Sequence, residues 1–329
     1  KRQNIKESLS RKDFSFLLSD KTKSKDLSIN INQKIYDFIN IIKDECLNID
    51  FKNRPDSIEI IYMIIEFLID NNIVLKNIDP QTMYKIAKEC EYNKLKHDYF
   101  LNASKLNYLE ATYELGLIYM KGKIVEKDMK KAIEYFEKAA NGNNKNAKFQ
   151  LGLMHYSGRE YISKDIEKAL NYFLEASEEP KSVTESFYYL GLIYEEKSDF
   201  INAKDCYIIA SEHNNKNAQF NLALIYEDKL NDIKNAIKYY KMAANNQHSK
   251  ARYNLGLIYE HGLNVEKNLN AAVNYYNGAS DLNNSEAQFK LGIYHEKYEN
   301  DIETAVKFYK KASDQDHIKA SYNLGLIYE

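Results

Sequence analysis

Small and apolar residues return along this chain in a fixed order. A first block reads small, x, aromatic, x, Leu, Gly, apolar, apolar and, in most copies, Tyr; it starts at Ala111, Ala147, Ser186, Ala218, Ala251, Ala287 and Ala320. A second block follows each of the first six: Ala, x, x, two adjacent aromatic positions, two more residues, then Ala and a small residue. It starts at Ala132, Ala169, Ala203, Ala236, Ala272 and Ala305, with pairs such as Tyr135 and Phe136 three and four positions on. Apolar recurrence at three and four predicts amphipathic helices rather than strands. We call them helix A and helix B, and count offsets from the leading small residue of A and the first Ala of B.

The first blocks are 36, 39, 32, 33, 36 and 33 residues apart, a period that belongs to stacked helical hairpins. Helix B to the next helix A is 15 residues in five of six cases, and 17 in the linker that holds Pro180. Helix A to its own helix B varies from 17 to 22. A joint of constant length with a variable turn is what a regular solenoid requires, because each repeat must be rotated on its neighbour by the same amount. A degenerate copy precedes these, with Thr82, Tyr84, Ile86 and Ala87, then Tyr99, Phe100, Ala103 and Ser104. Six of the eleven glycines stand at the fifth offset of helix A: Gly116, Gly152, Gly191, Gly256, Gly292 and Gly325. Mid-helix glycine costs about 1 kcal/mol against Ala, so its reuse implies another helix backbone passing very close.

With those residues in view, the chain resembles the Sel-1-like repeat (SLR) family, a branch of the tetratricopeptide-type solenoids. The clearest copy is residues 111–142, where Ala111, Leu115, Gly116, Tyr119, Gly122, Asp128, Lys131, Ala132, Tyr135, Ala139, Ala140 and Gly142 match the family pattern. Copies three, four and six have the shorter, tetratricopeptide-like turn, and copy four has Ala223 where the family puts Gly. The resemblance implies an all-α fold: a right-handed α-solenoid of about seven stacked antiparallel hairpins. It also implies the work of a scaffold or adaptor, as seen in ubiquitin-ligase complexes, chitin synthase activation and bacterial host-interaction proteins.

We expect residues 1–30 to form a basic polar arm, with eight Lys or Arg against four acids, and residues 31–80 a small N-terminal helical cap. In the cap Ile31, Ile35, Phe38, Ile39, Ile42 and Cys46 share one helical face, and Asp79 before Pro80 starts the next helix. The solenoid then runs over 81–329: a degenerate repeat at 81–105, six repeats over 106–319, and a truncated one at 320–329. That last helix A has no helix B, so the repeats are expected to continue beyond this sequence.

A formal net charge of -2 and a pI near 6.5 leave no global excess of positive charge, so nucleic acid is disfavoured as a partner. Cys46, Cys90 and Cys206 fit neither a disulfide framework nor a zinc site, which favours a reducing, cytoplasmic compartment. The most apolar run, Ile58 to Ile69, holds Glu59 and Glu66 and is too short for a membrane span. No G-x-S-x-G, G-x-G-x-x-G or C-x-x-C is present, and no two of the seven histidines lie four apart. No enzyme activity, metal or cofactor is expected.

Two features point to binding. By resemblance to tetratricopeptide solenoids, the concave surface is lined by helix A at offsets minus one, two, six, nine and ten. Offset two places Tyr113, Phe149, Tyr188, Phe220, Tyr253 and Phe289 there, and offset six is Leu or Ile throughout. Packing of these rings against neighbouring helices is the competing account. Offset nine supplies Glu195, Glu227, Glu260 and Glu296, carboxylates near helix C-termini that oppose the macrodipole. A local rule broken repeatedly can mark function, and a merely solvated face is the competing account. The expected activity is a non-catalytic scaffold or adaptor for a protein or peptide partner that carries a basic segment. The alternative is the regulatory or targeting arm of a larger enzyme complex of ubiquitin ligase, kinase or synthase type.

Overall fold

The computed structural model describes residues 79–90, 93–178 and 183–329. The expected basic arm and nearly all of the helical cap lie outside the described residues. The chain divides into two compact units, residues 1–112 and 113–329.

In the first unit α1 (Pro80–Glu89) and α2 (Asn93–Lys105) pair as a hairpin, and α3 (Leu109–Lys121) begins. Asp79 caps α1 by accepting the Thr82 N–H at 3.0 Å, with Pro80 supplying a first-turn residue that needs no donor. Met83, Ala87, Leu95, Tyr99, Phe100 and Ala103 are buried. These are the degenerate-repeat positions and their neighbours.

The second unit continues α3 and adds α4 (Met129–Asn141), α5 (Lys145–Ser157), α6 (Ile166–Ser177), α7 (Glu185–Glu196) and α8 (Phe200–Glu212). Then come α9 (Lys216–Leu224), α10 (Ile233–Asn245), α11 (Ser249–His261), α12 (Leu269–Ser280), α13 (Ser285–Lys297), α14 (Ile302–Ser313) and α15 (Ile318–Tyr328). Odd-numbered helices from α3 are helix A, even-numbered ones helix B. Every described residue in a regular element is helical; the sole exception to the helical pattern is an isolated bridge between Arg159 and Ile162 in one turn.

The 15-residue joint has one repeated geometry. At each, a residue with positive φ (Asn143, Asn214, Gln247, Asn283, Asp316) ends helix B, and the next residue's N–H reaches back to the carbonyl of Ala139, Ala210, Ala243, Ala279 or Ala312. A second bond from the positive-φ residue completes a Schellman closure, which fixes the direction in which the chain leaves. The next residue, Asn144, Asn215, His248, Asn284 or His317, then caps the following helix A through its side chain. The joint in the first unit, at Asn107 and Tyr108, has the same backbone bonds. The variable turn is pinched at its base instead. The N-cap amide of each helix B (Asp128, Asp165, Asp199, Asp232, Asn268, Asp301) donates to the carbonyl at offset eight of its helix A. Insertions therefore bulge outward without moving the helices.

Inside each hairpin the Leu at offset four is buried, as Leu115, Leu151, Leu190, Leu222, Leu255 and Leu291, together with the leading small residue of helix A and the first Ala of helix B. Each such leucine contributes about 1.5–3 kcal/mol by burial. The glycines do not admit a backbone, as their recurrence implied. A Cβ on Gly116, Gly152, Gly191, Gly256 or Gly292 would lie 2.3–2.7 Å from the offset-four ring of helix B, namely Phe136, Phe173, Tyr207, Tyr276 or Tyr309. The glycine makes room for an aromatic ring. In the fourth copy Ala223 faces Tyr240 at this position, and there helix A widens into a π-helical turn over Ile225–Lys229.

Candidate protein-interaction surface

Offsets two, six and nine share one face of helix A, because they are four and three residues apart. All six sequence-selected rings, Tyr113, Phe149, Tyr188, Phe220, Tyr253 and Phe289, are half-buried. Each leans on the buried helix B ring of its own repeat at centroid distances of 5.7–6.2 Å: Tyr113 on Phe136, Phe149 on Phe173, Tyr188 on Tyr207, Phe220 on Tyr240, Tyr253 on Tyr276 and Phe289 on Tyr309. The rings thus pack on their own helix B, three of them also touch the next repeat or its cap (Phe149 on Tyr189, Phe220 on His248, Phe289 on His317), and all six stay half-buried. Leu117, Leu153, Leu192, Leu224, Leu257 and Ile293 at offset six are half-buried beside them. The result is an apolar stripe reproduced on each helix A from α3 to α13.

The four glutamates have an internal partner. Tyr207 donates its hydroxyl to Glu195 at 2.8 Å, Tyr240 to Glu227 at 2.5 Å, Tyr309 to Glu296 at 2.5 Å, and Tyr276 to Glu260. Burial first, and the carboxylate second among the raising causes, push all four tyrosines far above the ordinary phenol range, so they stay protonated donors. A charge-assisted bond of this kind offsets the unfavourable macrodipole at these sites. The sequence held an unused signal for it. Helix B rings that are Phe (Phe136, Phe173) stand opposite Met120 and Tyr156 at offset nine, whereas those that are Tyr stand opposite Glu.

The next repeat finishes the arrangement. Asn221 and Asn254, at offset three, donate to the hydroxyls of Tyr207 and Tyr240 at 3.1 and 3.0 Å. Lys290, at the same offset one repeat on, binds both oxygens of Glu260 at 3.0 and 3.2 Å. Burial would raise the Glu260 carboxyl, but Tyr276 and Lys290 outweigh it and hold it below the ordinary range. A second aromatic pairing stiffens the other side of the hairpin: Tyr119 stacks on Tyr135, Tyr226 on Tyr239, and Tyr259 on Tyr275, each at 5.5 Å.

Most of the tyrosines named above therefore serve packing. Cys206 on α8 takes the place of one ring against the core of α6 and α7, and burial first, then Asp205 and Asp199, push its thiol up to about 11. Among the described residues no group of three or more His, Cys, Asp or Glu is placed to hold a metal ion. None of the described helices is long and apolar enough to cross a membrane.

The Sel1 repeat model matches residues 109–144, 145–180, 216–248, 249–284 and 285–317, more than half of the chain. A Sel1 repeat protein of Oxalobacter formigenes superposes with a TM-score of 0.69 at 18% identity, over 95% of this chain and 99% of that one. A protective antigen of uropathogenic Escherichia coli with an SLR fold gives a TM-score of 0.50 at 22% identity, over 76% of this chain and 64% of that one. Chitin synthase regulatory factor 2 of Schizosaccharomyces pombe is 28% identical over 135 residues, which is 38% of this chain and 26% of that protein. The chain thus spans under two thirds of the antigen's length and about a quarter of the regulatory factor's.

Proposed function

Starting from a chain that belongs to the Sel1 repeat family, we propose that it is a non-catalytic protein-interaction scaffold whose docking surface is the helix A stripe. The observation that carries this reading is the repetition of half-buried rings and of leucine or isoleucine on one face of the A helix in six successive repeats. The offset-six residues lean on the core clusters, Leu192 and Leu257 among them, yet none is fully buried, so the stripe keeps one side open along its length. A rigid frame with such a stripe binds an extended or helical segment at small entropic cost, since its own residues are already ordered. Within the chain the division proposed from the sequence places this surface in the 81–329 solenoid, with the 1–30 arm and 31–80 cap preceding it.

Selection from a displayed random-peptide library tests it. The intact chain should enrich a consensus, and Leu192→Ser with Leu224→Ser and Leu257→Ser should lose that consensus while keeping helical circular dichroism. Enrichment that survives the triple substitution overturns the assignment of the stripe. A second reading, a regulatory arm of a larger enzyme complex, draws on the relative named as a chitin synthase regulatory factor. Co-purification of the full-length protein with a catalytic subunit would favour it.

A further inference from the structure

We propose, resting on the helix A stripe as the docking surface, that its segment over α7 and α9 is the seat of a basic strand of the partner, one that carries Lys or Arg beside apolar residues. The charge along the stripe is uneven. At offsets nine and ten α7 presents Glu195 and Glu196, and α9 with its π turn presents Glu227 and Asp228. In the two preceding repeats these positions are Met120 with Lys121 and Tyr156 with Ser157. In the two that follow, lysines interleave: Lys250 and Lys297 lie at lining offsets and Lys290 at offset three, beside Glu260 and Glu296.

The protein itself shows how a cation sits on this face. Lys290 places its ammonium between the two oxygens of Glu260 while Tyr276 donates to the same carboxylate. At the equivalent positions one and two repeats earlier the residues are Asn254 and Asn221, whose amides turn to the tyrosine hydroxyls. Glu195 and Glu227 keep the tyrosine and the orientation, and no lysine or arginine of the described residues pairs with them. The two lysines next to this group point elsewhere: Lys197 pairs with Glu167 at 2.7 Å, and Lys229 lies 4.8 Å over the Phe200 ring. The seat left in α7 and α9 is the one that Lys290 fills for Glu260.

The apolar residues alongside fit the same occupant. Tyr188 and Phe220 at offset two and Leu192 and Leu224 at offset six are half-buried. They offer aliphatic and aromatic surface to the stem of a Lys or Arg and to its apolar neighbours, while the carboxylates take the head group. Half-buried carboxylates held by tyrosines are screened less than freely solvated ones, so the charge selects the partner and speeds its approach.

Fluorescence anisotropy with a labelled short peptide of alternating Lys and Leu, beside one of alternating Glu and Leu, tests the seat on the intact chain. The Lys peptide should bind at low salt, weaken as salt rises, and outcompete the Glu peptide. Glu195→Gln, Glu196→Gln, Glu227→Gln and Asp228→Asn together should weaken it by about tenfold or more and flatten the salt dependence. Glu196→Gln with Asp228→Asn, both exposed, should give part of that loss with no change in thermal melting. Lys290→Asn should bind the Lys peptide at least as tightly, because it frees Glu260. Equal binding of the Lys peptide by wild type and the fourfold variant overturns the seat, as does failure of wild type to bind it at low salt. If the serine substitutions in the stripe abolish binding while the acid variants do not, the stripe stands and only the basic seat falls.

Discussion

In the hairpins α3/α4 and α5/α6 the buried offset-four ring of helix B is Phe136 or Phe173; in the four that follow it is Tyr207, Tyr240, Tyr276 or Tyr309, and all but Tyr240, which has Ala223 for a neighbour, meet a glycine. The backbone joint is the same on both sides of that divide, apart from the longer linker after α6, and so is the buried Leu at offset four. What changes is one hydroxyl. Once it is present and buried it must have an acceptor, and the glutamate at offset nine, absent from the first two repeats, supplies it. The same exchange makes the face of the later repeats acidic. The charge of this face follows from how a core atom is satisfied.

The largest effect tests what the two regions share. Leu115→Ala in the first repeat and Leu255→Ala in the fifth should each cost about 2–5 kcal/mol in denaturant melts, since both side chains are fully buried. A loss below about 0.5 kcal/mol at either site would mean that the offset-four position is not core in that region.

The glycine position separates the regions further. Gly191→Ala would set a methyl 2.4 Å from Tyr207, whose ring is held at its tip by Glu195 and Asn221 and cannot retreat. We expect a net loss of about 1–3 kcal/mol, although Ala gains up to about 1 kcal/mol over Gly in a helix. Gly116→Ala meets Phe136, which lacks that anchor, so the loss there should be smaller. Gly325→Ala meets nothing within 4 Å and should raise the melting temperature instead. Equal losses at all three would show that backbone conformation, not the ring, sets the preference.

The hydroxyl itself comes next. Glu227→Met alone removes the acceptor of Tyr240 and should cost about 1–3 kcal/mol. Glu227→Met with Tyr240→Phe reproduces the first repeat's solution and should recover most of that loss, giving a coupling that a double-mutant cycle reads directly. Additive losses would disprove the link between the two positions.

The repeat, its hairpins and its buried small and leucine positions were all legible in the sequence, because periodicity reports which face is buried. So was the constancy of the joint, though not its cause: Asn143 and its equivalents owe their place to a left-handed backbone closure that no hydrophobic pattern encodes. The glycines were legible as sites of close approach, but the approaching group was misjudged, since spacing along one helix does not say whether a backbone or a ring comes near. For the candidate surface, the rings and glutamates were found as lists. Their pairing was hidden because Glu227 and Tyr240 are 13 residues apart on different helices, and it shows only when Phe and Tyr are sorted by what stands at offset nine. The bond between them gives the broken macrodipole rule a cause inside the fold, so the acidic strip cannot rest on that rule.

The smallest effect concerns the caps that carry one repeat into the next. Asn144 caps α5 at the entry to the second repeat, whereas His248 caps α11 at the entry to the fifth, its Nδ1 accepting the Ala251 N–H at 3.2 Å while the ring stacks 4.4 Å from Phe220. An amide cap does not titrate. An imidazole accepts only while that nitrogen is unprotonated, and burial first, then the positive charges of Lys216 and Lys250, lower the His248 pKa to about 4. The unfolded chain titrates near the ordinary 6.5, so between those values it binds more protons than the native state. The cap's stabilisation is therefore complete above pH 6.5 and declines as pH falls toward 4. Paired denaturant melts of wild type and His248→Asn at pH 7, 5.5 and 4.5 isolate it: the difference should move in favour of the Asn variant as acid is added. A difference that stays flat across that window would show that His248 holds its place by stacking on Phe220 alone.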